Sequence, residues 1–160
     1  MRVFAALTGF VALACTAKDP LVGSTIPPYP DGLHERHGAC VGNSATDVCK
    51  YSIGFLEGKG NERVMIYAGR FTRRDSEGHV IWLVTDTMAY PPVGPGEYLA
   101  ASTCRLNGIG NDRIFVVVKN EETEWFRGIV AAYQLNTASG RFESLPQKGI
   151  ECYNDAWGAE

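Results

Sequence analysis

From Cys49 onward, short apolar segments alternate with turn signals, and no long stretch keeps the period of a helix. The segments are rich in β-branched and aromatic residues, as at 64–67 and 80–84. Short links between such segments suit antiparallel neighbours. The sequence therefore predicts an all-β domain, an antiparallel meander of seven or eight strands that forms a small barrel or a sandwich and carries two disulfides.

Turn residues divide this region into individual strands. The predicted strands are residues 49–57, 63–72, 79–88, 97–105, 114–118, 128–135 and 141–145, with a last short strand around residue 150. Gly78 is expected at a positive-φ position of a bulged hairpin turn. Segment 114–118 is apolar on both faces, so it should be a central strand covered on both sides. Residues 120–127 are expected to form a helical turn or two at most.

The N-terminus has the pattern of an export signal. Arg2 supplies a positive charge, and residues 3–13 are uncharged and mostly apolar, a run too short to span a membrane. The residues before Cys15 resemble a bacterial lipobox, in which the cysteine is lipidated. Ala14 and Cys15 match that pattern, whereas the two residues before them stand in inverted order. Ordinary secretory cleavage near this point is the alternative.

The odd number of cysteines in the chain favours lipidation of Cys15. Thiols pair in an oxidising compartment, and five cysteines leave one over. Without Cys15, four remain for two disulfides. Of the three possible connectivities we favour Cys40 with Cys49 and Cys104 with Cys152. Metal ligation is the rival interpretation, but the chain contains no C-x-x-C pair.

These features predict three parts in the chain. Residues 1–14 form the signal peptide, and residues 15–38 form a flexible tether whose many prolines and glycines favour extended conformations. Residues 39–160 form a single β domain. The expected location is the cell envelope, with a lipid anchor in the outer membrane and the domain facing the periplasm. A soluble periplasmic or secreted protein is the alternative.

The charge of the chain limits its partners. A formal net charge of −3 and a sequence pI near 5.6 give no basic face for nucleic acid, and anionic membrane surfaces do not attract such a protein. Contact with a membrane is therefore expected only through the lipid anchor. No motif indicates a cofactor.

No catalytic or metal-binding residues are predicted. His34 and His37 are the one closely spaced histidine pair, but they do not form H-E-x-x-H and no third ligand stands at a recognisable spacing. There is no G-x-S-x-G, and no free cysteine is expected to act as a nucleophile. A hydrolase with an unrecognised site, using His79 and nearby carboxylates, is the alternative function.

Surface binding is the function that the composition leaves open. Aromatic residues make up 11% of the chain, among them Trp82, Trp125 and Trp157. Most are expected to pack in the core, and a few to stack on a sugar or anchor in a partner protein.

Three segments resemble a family of small, uncharacterised envelope proteins of Gram-negative bacteria. They are C-x-Y-S-I-G at 49–54, T-C-R-x-N-G at 103–108 and S-G-R-F at 139–142. The resemblance spans residues 49–157 and implies no activity. The architecture is also similar in class to periplasmic inhibitor and immunity lipoproteins, which are small, disulfide-tied β domains. We therefore expect a non-catalytic envelope lipoprotein that binds a protein or a glycan.

Overall fold

A computed structural model describes residues 19–42 and 49–158, in which every regular element is a β-strand. The strands are β1 (Thr25–Ile26), β2 (Leu33–Val41), β3 (Tyr51–Gly58), β4 (Arg63–Arg74), β5 (Val80–Ala89), β6 (Glu97–Ala101), β7 (Cys104–Leu106), β8 (Ile109–Gly110), β9 (Ile114–Lys119), β10 (Trp125–Phe126), β11 (Ile129–Asn136), β12 (Arg141–Ser144) and β13 (Ile150–Tyr153). None of the described segments is a helix long and apolar enough to cross a bilayer.

The strands form three antiparallel sheets. The N-terminal sheet has the order β1-β5-β4-β3-β2, the middle sheet β12-β11-β9-β6 and the outer sheet β10-β13-β7-β8. Each sheet retains two edge strands, so none of these described sheets closes into a barrel. The all-β prediction with two disulfides is confirmed, and the barrel is excluded in favour of packed open sheets.

The middle sheet is covered on both of its faces. On one face Phe115 of β9 packs edge-on against Phe55 of the N-terminal sheet, with ring centroids 6.3 Å apart and an interplanar angle of 89°. On the other face Ile114, Val116 and Val118 pack against the outer sheet. All five residues from 114 to 118 are fully buried, which confirms the prediction of a central strand with apolar residues on both faces.

The N-terminal segment forms part of the folded domain, which differs from the boundary expected at residue 38. Leu21 and Ile26 are buried beside Leu56 and Val84, on the face of the N-terminal sheet that points away from the middle sheet. The backbone N–H of Val84 donates to the carbonyl of Ser24 at 2.9 Å. Burial of these two apolar side chains and the pairing of the short strand β1 hold the N-terminal segment on the sheet, despite its many prolines and glycines. The predicted signal peptide, Cys15 and the first residues of the tether lie outside the described residues.

The number of strands also differs from the prediction, since the described residues contain thirteen rather than seven or eight. The predicted strand 97–105 is divided into β6 and β7 around Ser102, whose φ of 66° interrupts the ladder. β1, β8 and β10 have two residues each, too few for a periodic pattern to predict them. Residues 120–127 contain β10 in place of the expected helical turn.

The two disulfides have the favoured connectivity. Cys40 bonds to Cys49, and Cys104 bonds to Cys152. The second pair joins β7 to β13, where the two cysteines stand directly opposite each other, and both are buried against the middle sheet. The outer sheet is therefore held together covalently at its centre.

We predict that removal of the Cys104–Cys152 bond costs more stability than removal of Cys40–Cys49. The sequence separations are 48 and 9 residues. In the chain-entropy description the two bonds contribute roughly 4 and roughly 2.5 kcal/mol. Urea unfolding of the Cys104→Ala/Cys152→Ala and Cys40→Ala/Cys49→Ala double variants measures this difference. Equal losses in the two variants would contradict the prediction.

Candidate binding face

The outer sheet has one buried face and one face open to solvent. Along β13, Ile150 and Cys152 are buried, whereas Glu151 and Tyr153 alternate with them and face outward. The strand partners of these two residues are Arg105 and Trp125. Arg127 follows on the same side as Trp125. We define these five residues as the Trp–Arg face.

An aromatic pair forms one half of the Trp–Arg face. Trp125 and Tyr153 are cross-strand partners, and their rings meet edge to face with centroids 5.4 Å apart at 69°. The guanidinium carbon of Arg105 lies 3.5 Å from the centroid of the Trp125 ring. The indole is therefore in contact with a cation and with a second aromatic ring, two contacts that hold it in one orientation.

The other half of the Trp–Arg face is a carboxylate held between two arginines. Arg105 Nε donates to Glu151 Oε1 at 2.8 Å, and Arg127 Nε donates to Glu151 Oε2 at 3.0 Å. These bonds and the two positive charges hold the pKa of Glu151 below its usual range, the hydrogen bond from Arg105 having the largest effect. A single carboxylate thus orients both guanidinium groups.

A groove of about 710 Å³ runs beside the Trp–Arg face. Trp125 and Arg105 line one side, and hydroxyl and amide groups at Ser102, Thr103 and Asn111 line other parts. Asp112, at the far end, accepts a hydrogen bond from the backbone N–H of Gly42 at 2.9 Å. The groove therefore combines an aromatic wall, a cation and small polar groups.

Tyr153 lines a second hollow of about 390 Å³. It is lined by Tyr98, by Asn154 and Asp155 after β13, and by backbone-rich positions of the edge strand β6. Burial raises the pKa of the Tyr98 hydroxyl to about 12, with a smaller effect of the charges of Asp155 and Glu121. Tyr98 therefore remains a neutral hydrogen-bonding group at physiological pH.

The histidine pair of the sequence, His34 and His37, lies on β2. The His37 ring stacks on Phe55 with centroids 4.4 Å apart. Burial, and then the charge of Arg36, lower the pKa of His37. In the described ranges no group of three histidine, cysteine, aspartate or glutamate side chains is placed to hold a metal ion.

His79 lies in the exposed turn between β4 and β5. Its Nδ1 is 3.3 Å from Asp75 Oδ2 and 3.5 Å from Glu77 Oε2. The Asp75 carboxylate also accepts the backbone N–H groups of Glu77 and His79, so these contacts close the turn. The contacts of His79 are those of a hairpin turn.

Sequence reasoning missed most of the Trp–Arg face. Trp125 was named among the aromatic residues but was expected in a helical turn, and Arg105, Arg127 and Glu151 were not named as binding residues. The predicted disulfide between Cys104 and Cys152 could have identified Arg105 and Glu151. Once Cys104 and Cys152 are buried in adjacent strands, their neighbours in the chain must point to the opposite face.

No family model matches the chain, and no match was found among curated proteins or among solved structures. The function is therefore inferred from the residues of the chain itself and the way in which the fold arranges them.

We predict that the stabilising effect of Glu151 depends on pH. Because its pKa is depressed in the folded state, the stabilisation is complete above the unfolded-state value of about 4.3 and is lost as the pH falls through the folded-state value. Glu151→Gln should therefore unfold at lower urea concentration than wild type at pH 7, and the difference in urea midpoint should shrink progressively as the pH falls below about 4.3. Exposed Glu122, changed to Gln, is the matched control and should follow wild type. A gap independent of pH would contradict the prediction.

Proposed function

We propose that this chain is a non-catalytic envelope lipoprotein whose β domain binds a partner protein through the Trp–Arg face. The observation that carries the proposal is the outward pairing of Trp125 with Tyr153 beneath the guanidinium of Arg105. Tryptophan, tyrosine and arginine are the residues that most often dominate the binding energy of protein interfaces.

The arrangement of the two arginines favours a binding role. Glu151 fixes both guanidinium groups, so less side-chain entropy is lost when a partner binds. The disulfide between Cys104 and Cys152 links β7 to β13, the strands that carry Arg105 and Glu151. The face is therefore preorganised, which is the property that an inhibitor or an immunity protein needs.

The same contacts favour a protein over a glycan. A sugar ring stacks on an open aromatic face, but Arg105 covers one face of the Trp125 indole at 3.5 Å. Two arginines and one glutamate leave the face with one excess positive charge, in a chain of net charge −3. The partner surface is accordingly expected to be rich in hydrogen-bond acceptors and mildly acidic.

Two disulfides support an oxidising compartment. Together with the signal pattern and the lipobox-like residues at Cys15, they support a periplasmic domain tethered to the envelope membrane. The alternative of a soluble periplasmic or secreted hydrolase has no matching observation, because the contacts of His79 are those of a turn.

The partner is tested by site-specific photo-crosslinking in a bacterial envelope. With a photoreactive amino acid at Tyr153, we expect an adduct that proteases degrade, and Arg105→Ala or Trp125→Ala should reduce its yield by about tenfold or more. The same photoreactive group at exposed Phe71, on the N-terminal sheet, is the control and should not form that adduct.

The outcomes of the crosslinking experiment are distinct. An adduct that resists proteases and is cleaved by glycan hydrolases would replace the protein partner with a glycan. Equal labelling from Tyr153 and Phe71, unaffected by the two alanine substitutions, would refute the Trp–Arg face as the binding surface.

The lipid anchor is tested separately by the intact mass of protein purified from the membrane fraction. We expect a mature species that begins at Cys15 and carries the added mass of an acylated glyceryl group. Because each of the two disulfides lacks two hydrogen atoms, the unreduced protein should be four hydrogen atoms lighter than the reduced protein. A lipid-free species that begins at another residue would make Cys15 incidental and the protein soluble.

A further inference from the structure

A cleft of about 410 Å³ lies where the N-terminal segment crosses the end of the N-terminal sheet. The rings of Tyr29 and Trp82 and the Pro27 side chain form its walls, and the polar side chains are those of Glu35, Ser52 and His79. The Cys40–Cys49 disulfide borders it. It belongs neither to the Trp–Arg face nor to the two hollows beside it.

Glycines on neighbouring strands make space for the polar groups of this cleft. Gly38 on β2 stands opposite Gly54 on β3, and Gly54 stands opposite Tyr67 on β4. A Cβ on Gly54 would lie inside the Tyr67 ring, and one on Gly38 would meet the Glu35 carboxylate. The phenol of Tyr67 therefore crosses β3 over Gly54 and points toward β2 and Glu35.

Glu35 brings a carboxylate to the cleft. Tyr29 donates its hydroxyl proton to Glu35 Oε2, while Glu35 Oε1 lies against Gly38. Ser52 Oγ is 3.6 Å from the position of a Gly38 Cβ, so the serine hydroxyl and the carboxylate share this space. Within residues 19–42 and 49–158, Glu35 forms no ion pair. Its neighbour Arg36 contacts Glu57 instead, at 3.3 Å.

Tyr67, whose hydroxyl lies beneath the cleft lining and close to Glu35, provides a second indication of a ligand. Its side chain is fully buried, and its hydroxyl lies near Glu35 and Ser52 but is the one buried side-chain polar atom of the described residues that makes no hydrogen bond of normal geometry. Such a group is costly unless something satisfies it. Burial raises the pKa of both Tyr67 and Tyr29, and Glu35 raises it further, so both phenols stay protonated.

We propose that this cleft binds a primary ammonium group, with the Glu35 carboxylate as counter-ion and the hydroxyls of Ser52 and Tyr67 as hydrogen-bond acceptors. The rings of Tyr29 and Trp82 flank the site, where they add cation–π attraction to the ammonium group and apolar contact with the hydrocarbon chain that follows it. The ammonium group belongs either to a small alkylamine or to a lysine side chain of a peptide. An anionic ligand is disfavoured because Glu35 is already unpaired.

The first test is titration of the whole mature domain with cadaverine and with Nα-acetyl-lysine amide, followed by NMR shifts of backbone amides in β2 and β3. Both probes carry the primary ammonium group. Nα,Nε-diacetyl-lysine amide has the same chain without the charge and should not bind. Glu35→Gln keeps an acceptor for Tyr29 but removes the charge, and it should weaken binding by about tenfold or more. Glu122→Gln, exposed before β10, should bind as wild type does.

The two probes distinguish the sources of the ammonium group. Tighter binding of the lysine amide identifies a peptide side chain, and tighter binding of cadaverine identifies a small amine. Three results would each overturn the proposal. They are no binding of either ammonium probe, binding of the diacetylated probe as tight as that of the ammonium probes, and unchanged affinity of Glu35→Gln for the ammonium probes.

Tyr67→Phe separates a ligand-binding role from a purely structural one. Removal of a hydroxyl that is unpartnered in the free protein should leave the Tm unchanged or raise it, while the affinity for the ammonium probe falls several-fold. A variant with lower Tm and unchanged affinity would show that the hydroxyl serves only the fold, and it would remove Tyr67 from the site.

Discussion

The fold depends on burying both faces of one strand. The five apolar residues at 114–118 of β9 send alternate side chains into two separate cores, so a sheet must pack on each side of the middle sheet. The N-terminal sheet fills one side and the outer sheet fills the other. The outer sheet is small, and the Cys104–Cys152 bond joins its two central strands at the point where they meet the core. The layered packing and the placement of the second disulfide are thus two consequences of the same strand.

This packing decides which side chains remain available for function. Since the outer sheet buries its cysteines, isoleucine and Phe126 inward, its other face presents the arginine, tryptophan and tyrosine side chains to solvent. Glu151 then fixes the two arginines. The cleft around Glu35 arises differently, since glycines on adjacent strands leave room for a carboxylate and a phenol above the sheet. Cys40 lines both this cleft and the groove beside the Trp–Arg face, so the first disulfide lies between the two sites.

The candidate sites were harder to predict than the fold because each joins residues from distant parts of the chain. Trp125 and Tyr153 meet only through the pairing of β10 with β13, and the second of these strands begins 25 residues after Trp125. Glu35 and Tyr67 approach each other only because the register of three strands aligns Gly38, Gly54 and Tyr67. Neither pair has a local pattern. The histidines that sequence reasoning singled out as candidates for metal or proton chemistry have structural surroundings instead, His37 on Phe55 and His79 in a turn.

The sequence by itself determined the features that depend on local order and on composition. Alternating apolar residues and turn glycines determined the all-β class, the 114–118 strand and the hairpin turn at Gly78, and the even set of four cysteines pointed to two disulfides. Only the tertiary structure decided the division of 97–105 into two strands, the docking of residues 19–33 on the sheet and the composition of both candidate sites. The physical reason is that periodicity acts between neighbours in the chain, whereas sheet order, register and burial of the second face are set by contacts between residues far apart in sequence.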